Sequence, residues 1–218
     1  MGEVIAEVLP PAIGIAASPF PIIPVILLLF TARPLAASGA FLGGWVLGIG
    51  VATAVFIGLA NLVEAFDESP TWAPWTRIVI GVVLLVLGVR QWLGRHDSDE
   101  PPAWMRSIEG STPAEASRLG LLLSAANPKI VLLAAAAGLA IGAADLPTSG
   151  TVAAGALFTG VASCTVAVPV LLFALVGERV LRPLASMRDW LQANNATVMA
   201  LVILVIGALL IAKGISGL

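Results

Sequence analysis

The sequence predicts an all-α integral membrane protein, and three observations lead to this fold class. Hydrophobic residues make up 59% of the 218-residue chain, and charged residues make up only 11%. An ordinary soluble domain carries about 25% charged residues, so this composition cannot supply a water-facing surface of normal polarity. The apolar residues also form several runs of roughly 20 residues, the helix length that crosses a hydrocarbon core of ~30 Å. The number of such runs disfavours the alternative, a strongly apolar soluble helical protein.

Six apolar runs are predicted to be transmembrane helices, called spans 1 to 6. Their predicted bounds are Pro11–Phe30, Leu35–Leu62, Ile78–Leu93, Leu119–Ile141, Thr151–Leu175 and Ala196–Ala212. Span 1 is expected to be a retained helix, because Glu3 and Glu7 give an acidic start where a cleaved signal needs a basic one. Arginine mixed with apolar residues over 178–190 predicts a separate short helix at the membrane surface.

One long polar stretch, residues 95–118, divides the chain into a first half (1–94) and a second half (119–218). It ends in a capping-box pattern, with Thr112 as N-cap, Pro113 at the first helical position and Glu115 reaching back. A helix is therefore expected to begin at Pro113 and to continue into span 4.

The distribution of basic residues predicts the orientation. Loops 1–2, 3–4 and 5–6 carry eight of the eleven basic residues, whereas the other side carries Arg77 and Lys213 and span 4 contains Lys129. Basic loops stay in the cytoplasm, so both termini are expected outside a plasma (inner) membrane.

The two halves also resemble each other. Residues 16–19 (AASP) match 125–128 (AANP), Gly43 and Gly48 match Gly155 and Gly160, and 85–88 (LVLG) match 204–207 (LVIG). An odd number of spans per half reverses the second half in the membrane. The sequence therefore predicts two inverted three-helix repeats, a common plan of secondary transporters.

Proline motifs are predicted to break spans 1 and 4 near mid-bilayer, at Pro19 and Pro128. Proline removes a backbone hydrogen bond, and carbonyls freed in lipid are tolerated only inside protein or beside a watery cavity. Two breaks at matching depth indicate a central site, although ordinary proline kinks give the same pattern. The predicted substrate-binding residues are Ser18, Pro19, Pro21, Asn127, Pro128 and Lys129.

Lys129 is the ionisable residue that the sequence places deep in a span. A cation at this depth costs at least ~2.5 kcal/mol, and the spans contain no Asp or Glu at comparable depth. Two interpretations remain open: Lys129 binds an anionic ligand, or it bonds to freed carbonyls as a structural clasp. Residues 163–165 (SCT) in span 5 either line the same cavity or form helix–helix hydrogen bonds.

Other function classes find no support in the sequence. There is no HExxH, no phosphate-binding glycine loop and no plausible Ser/His/Asp set, so no enzyme and no cofactor is predicted. The chain lacks a basic patch rich in aromatics, which disfavours nucleic acid. Its single cysteine, Cys164, excludes an internal disulfide.

The motifs resemble a known family over nearly the whole chain. Asn127-Pro128-Lys129 with a first-helix proline motif resembles the lysine exporter superfamily. Within it, residues 17–23 (ASPFPII), 26–29 (ILLL) and 40–45 (AFLGGW) resemble the glycolipid-addressing (sulfolipid-addressing) proteins of actinobacteria. The resemblance implies six helices in two inverted triplets and a role in moving envelope glycolipids to the cell surface. The chain differs from the thiol-electron carriers of the superfamily, because its spans lack their paired cysteines. It also differs from the metal exporters, because its spans lack their intramembrane carboxylates.

The predicted function is export of an anionic or amphipathic envelope compound, with a glycolipid as the leading substrate. Amino-acid export and a non-transporting accessory role in envelope lipid assembly are the alternatives. The expected partners are the bilayer and the substrate. A homodimer and association with an envelope lipid synthase or exporter are compatible with the sequence.

Overall fold

The described chain is helical, in keeping with the predicted fold class. The computed structural model describes residues 1–64, 72–93, 108 and 110–215, and no strand occurs among them. Eight α-helices and one 3-10 turn, Gly177–Val180, lie in these ranges. The helices are α1 Gly2–Ala16, α2 Ile22–Leu28, α3 Pro34–Glu64, α4 Trp72–Leu93, α5 Pro113–Ala125, α6 Pro128–Gly142, α7 Thr148–Val176 and α8 Leu181–Ile215. Most of the polar loop before α5, including Pro101 and Pro102, lies outside the described residues.

Local sequence signals explain several helix ends. The Thr112 hydroxyl accepts a hydrogen bond from the Glu115 amide, and the Glu115 carboxylate accepts one from the Thr112 amide. This capping box, with Pro113 in the first turn, begins α5 as predicted. Helix α7 ends at Gly177, whose φ of +70° is accessible to glycine at little cost.

The surfaces of the long helices are suited to lipid. On α3, Phe41, Trp45 and Ile49 are fully buried. Large apolar side chains are exposed along the same helix: Leu47, Val51, Val55, Leu59 and Leu62. A helix that is apolar on its outer face as well as on its packed face is typical of a membrane protein.

Two helical runs of the described residues are long and apolar enough to cross a membrane. They are Pro34–Leu62, within α3, and Thr148–Asn194, which joins α7, the 3-10 turn and the start of α8. The pair α5 and α6 passes the same test as one broken span with a bend of 66°, which makes three candidate spans in the described residues. Six spans therefore stay a prediction. Apolar helical segments at Ile78–Arg90 and Thr197–Ala212 are shorter.

Two predictions of helix extent are wrong. The first helix begins at Gly2 rather than near Pro11, with Pro10 and Pro11 inside it. The separate surface helix predicted over 178–190 is absent, because the arginine-bearing segment continues into the apolar segment as the single helix α8. No proline or glycine interrupts the chain between Pro183 and Gly207, so the backbone can stay helical through the junction.

Glycine contacts establish how α3 packs on α5. A Cβ at Gly44 would meet the carbonyl of Ser117, and one at Gly48 would meet the hydroxyl of Ser124. The contact positions advance in the same direction on both helices, so α3 and α5 run parallel and begin at the same end of the assembly. The close approach depends on the missing side chains, as at many membrane helix contacts.

The start of α8 lies at this same end. The guanidinium of Arg188 lies over the ring of Phe30, 5.9 Å from its centroid. Phe30 follows α2 and directly precedes the turn to α3. The described basic segments near Arg33, Arg118 and Arg188 therefore share one end of the helix assembly.

Candidate functional site

The first break separates α1 from α2 at residues 17–21. Helix α1 ends at Ala16 and α2 begins at Ile22, so regular hydrogen bonding is interrupted at the predicted place. Pro19 and Pro21 are both buried. Neither can donate a backbone hydrogen bond, which leaves carbonyls of the preceding turn without their helical partners.

A side chain of α7 also satisfies the last carbonyl of α1, at the edge of the break. The hydroxyl of Thr165 donates a hydrogen bond of 2.7 Å to the carbonyl of Ala16. Residues 163–165 are expected either to line a cavity or to form helix–helix hydrogen bonds, and the contact of Thr165 is a helix–helix hydrogen bond. Cys164 is exposed, and the hydroxyl of Ser163 is buried without a hydrogen-bond partner in the described part of the chain.

The second break separates α5 from α6 at Ala126 and Asn127. The side-chain oxygen of Asn127 accepts a hydrogen bond of 3.0 Å from the backbone amide of Lys129, and Pro128 occupies the first helical position. Asparagine at the N-cap and proline after it are strong signals for a helix start. A new helix, α6, therefore begins directly after the break, and its axis is bent by 66° from that of α5.

Lys129 is buried at the start of α6. Its side chain is only 4% exposed. The ammonium Nζ contacts the sulfur Sδ of Met199 on α8 at 3.8 Å, and it forms no ion pair with any carboxylate of the described residues. A thioether is a weak acceptor, so this contact offsets little of the cost of removing an ammonium from water.

Ser18, in the first break, contacts the same sulfur. Its hydroxyl donates to Met199 Sδ at 3.1 Å, and its side chain is 1% exposed. Ser18 and Lys129 thus approach one atom from the two breaks, as a central site between the breaks requires. We call Ser18, Lys129 and Met199 the sulfur-centred site.

The other predicted site residues have different surroundings. Pro19 and Pro21 are buried and shape the first break, whereas Asn127 is half-buried and Pro128 is exposed. Asn127 uses its oxygen as the cap of α6. Sequence reasoning missed Met199, because a methionine at the start of an apolar run is ordinarily a packing residue.

A metal centre has no basis in the described ranges. No group of three or more His, Cys, Asp or Glu side chains there lies close enough to hold a metal ion. The chemistry available at the sulfur-centred site is that of two hydrogen-bond donors, one of them cationic, buried between broken helices. Such a site favours an anionic oxygen acceptor.

Fold and site together define an α-helical membrane protein with proline-broken helices around a buried cation. The chain belongs to the family described as Sap, sulfolipid-1-addressing protein, whose sequence profile matches residues 8–216. This confirms the resemblance to the glycolipid-addressing proteins. No curated protein and no solved structure matches the chain.

Proposed function

We propose that this protein exports an anionic or amphipathic envelope compound, a glycolipid, by alternating access around the sulfur-centred site. The observation that carries the proposal is the buried ammonium of Lys129, which has a thioether contact and no carboxylate partner among the described residues. The family description names sulfolipid-1, and an anionic lipid of this kind would supply the missing counter-charge.

The physical argument concerns the cost of the cation. A charged side chain within a bilayer costs at least ~2.5 kcal/mol, and such residues mark substrate or ion pathways when they are not paired internally. A sulfate, phosphate or carboxylate oxygen would form a charge-assisted hydrogen bond with Lys129 and would accept a second bond from Ser18. Binding therefore stabilises a group that the ligand-free protein leaves poorly compensated.

We infer that the helices form six spans in two inverted triplets. In the predicted repeat, α3 of the first half corresponds to α7 of the second, and α1 corresponds to α5. The contact between α3 and α5 therefore corresponds to the contact between α7 and α1, and in both contacts the two helices run parallel. Met1 lies beside Gly150 and Ala16 beside Thr165, so α1 and α7 advance together. This equivalence supports an inverted repeat, the plan in which binding sites lie between broken helices.

We further propose that the end bearing Arg33, Arg118 and Arg188 faces the cytoplasm of a plasma (inner) membrane. Basic residues concentrate on the cytoplasmic side of membrane proteins, which supports this orientation. Both termini would then lie outside. The proposed role is not enzymatic, and it allows a homodimer or a complex with an envelope lipid synthase or exporter.

Reconstitution tests the proposal against its alternatives. Protein in liposomes should move a fluorescent anionic glycolipid between leaflets, and Lys129→Met should reduce this movement at least tenfold with the protein still folded. Export of lysine or other amino acids instead of lipid would establish the amino-acid exporter. Movement of neither class by the purified protein would contradict transport by this chain alone and favour the accessory role.

A further inference from the structure

The acceptor at the sulfur-centred site does not match its donors. Ser18 Oγ and Lys129 Nζ both contact Met199 Sδ, at 3.1 and 3.8 Å. Two buried donors, one of them charged, thus share one weak acceptor. Donors of this strength ordinarily pair with oxygen atoms at about 2.7–2.9 Å, closer than the sulfur is to Lys129.

We propose that Met199 occupies the anion position of the ligand-free protein and that an anionic sulfate or phosphate oxygen displaces its sulfur. This inference rests on the proposed function and adds the residue that sets the affinity of its site. Met199 keeps water and small ions away from Lys129 while the site is empty. Ligand binding exchanges two thioether contacts for two stronger hydrogen bonds.

The chemistry of methionine suits this displacement. Its side chain is unbranched and has three rotatable bonds, so it changes rotamer at small cost. Met199 is only half-buried, whereas Ser18 and Lys129 are almost completely buried. The sulfur is therefore the member of the site with room to leave.

Methyl NMR of the full chain in neutral nanodiscs tests the proposal directly. The chain contains four methionines, and Met187 on α8 is an exposed internal control. Titration with octyl sulfate should shift the ¹³C-methyl resonance of Met199 in a saturable way and leave that of Met187 unchanged. Octyl phosphate is the second arm and separates a sulfate ester from a phosphate headgroup, and octyl glucoside is the neutral control.

A matched pair of variants supplies the second readout. Met199→Leu removes the acceptor at nearly constant volume, so octyl sulfate no longer displaces a bonded sulfur and should bind about fivefold more tightly. Met187→Leu makes the same chemical change at an exposed position and should leave the Kd unchanged. If Met199→Leu does not fold, the methyl titration of the unsubstituted protein decides the question.

The possible results distinguish a failure of this inference from a failure of the proposed function on which it rests. A Met199 methyl that does not respond to either anion, or an unchanged Kd in Met199→Leu, overturns the displacement. If the displacement is overturned but Lys129→Met abolishes anion binding, Lys129 still binds the anion and only the role of Met199 is rejected. Anion binding that survives Lys129→Met contradicts the proposed site itself.

Discussion

The hydroxyl of Thr165 on α7 donates a hydrogen bond of 2.7 Å to the carbonyl of Ala16, the last residue of α1. This bond satisfies a backbone group at the first proline break. It is a contact between the two predicted halves of the chain, and it holds the end of α1 against the middle of α7.

Removing this hydroxyl should destabilise the protein. Thr165→Val keeps the shape of the side chain and leaves the Ala16 carbonyl without its partner, so we expect a loss of about 1 kcal/mol in unfolding free energy. Reversible unfolding in mixed micelles measures it. Thr151→Val on the same helix removes a long hydrogen bond of 3.4 Å to Pro147 and should change stability less. Equal losses in both variants would show that the bond to Ala16 has no special weight.

Removing the charge of Lys129 should impair transport without lowering the stability of the protein. Lys129→Met removes the ammonium and keeps most of the apolar stem, so the variant should insert and melt at the temperature of the unsubstituted protein or above it. Transport of an anionic lipid should nevertheless fall at least tenfold. Lys129→Arg retains the charge but not its compact shape, and it should keep partial activity at best. Melting temperature and flux are measured on the same preparations. Parallel loss of both in Lys129→Met would identify a structural clasp instead.

The glycines of α3 provide a matched test of helix packing. Gly44→Ala would place a Cβ against the backbone carbonyl of Ser117, which cannot move without shifting α5. We expect a loss of about 2 kcal/mol or more, typical of overpacking. Gly43→Ala, one residue earlier, meets nothing within 4 Å and should be neutral or slightly stabilising. Thermal unfolding compares the two, and a Gly44→Ala protein as stable as Gly43→Ala would contradict the close packing of α3 on α5.

Cysteine labelling tests the proposed orientation. In a Cys164→Ala background, Thr148→Cys lies at the exposed start of α7 and Ser186→Cys at an exposed position of α8. A membrane-impermeant maleimide added to intact cells should label position 148 and leave position 186 unlabelled until the membrane is permeabilised. The opposite pattern would reverse the orientation and place the arginine-rich end outside.

Sequence reasoning predicted the parts of the structure that local chemistry determines. The breaks at Pro19 and Pro128 follow from the missing amide of proline. The start of α5 follows from Thr112 and Glu115, whose side chains act within a single turn. Patterns of this kind need no knowledge of distant residues, and they place Ser18 and Lys129 beside the two breaks.

Tertiary contacts explain what the sequence could not provide. Nothing in the residues around Met199 indicates that its sulfur meets Ser18 and Lys129, because that contact depends on where α8 crosses both breaks. Glycine spacing was only partly informative for the same reason. Gly44 and Gly48 are in close contact with α5, whereas Gly39, Gly43 and Gly50 face open space in the described structure.

The bend between α5 and α6 has a mechanical consequence. Both arms are attached to α3: Gly44 holds the first arm, and a Cβ at Gly138 on the second would lie 2.8 Å from the carbonyl of Thr53. Close packing of both helices on α3 resists a change in the angle between them, so α3 supports the position of Lys129 at the start of α6. If the proposed transport takes place, the movement that uncovers the ammonium is expected in the helices that face it, α1 with its break and α8 with Met199.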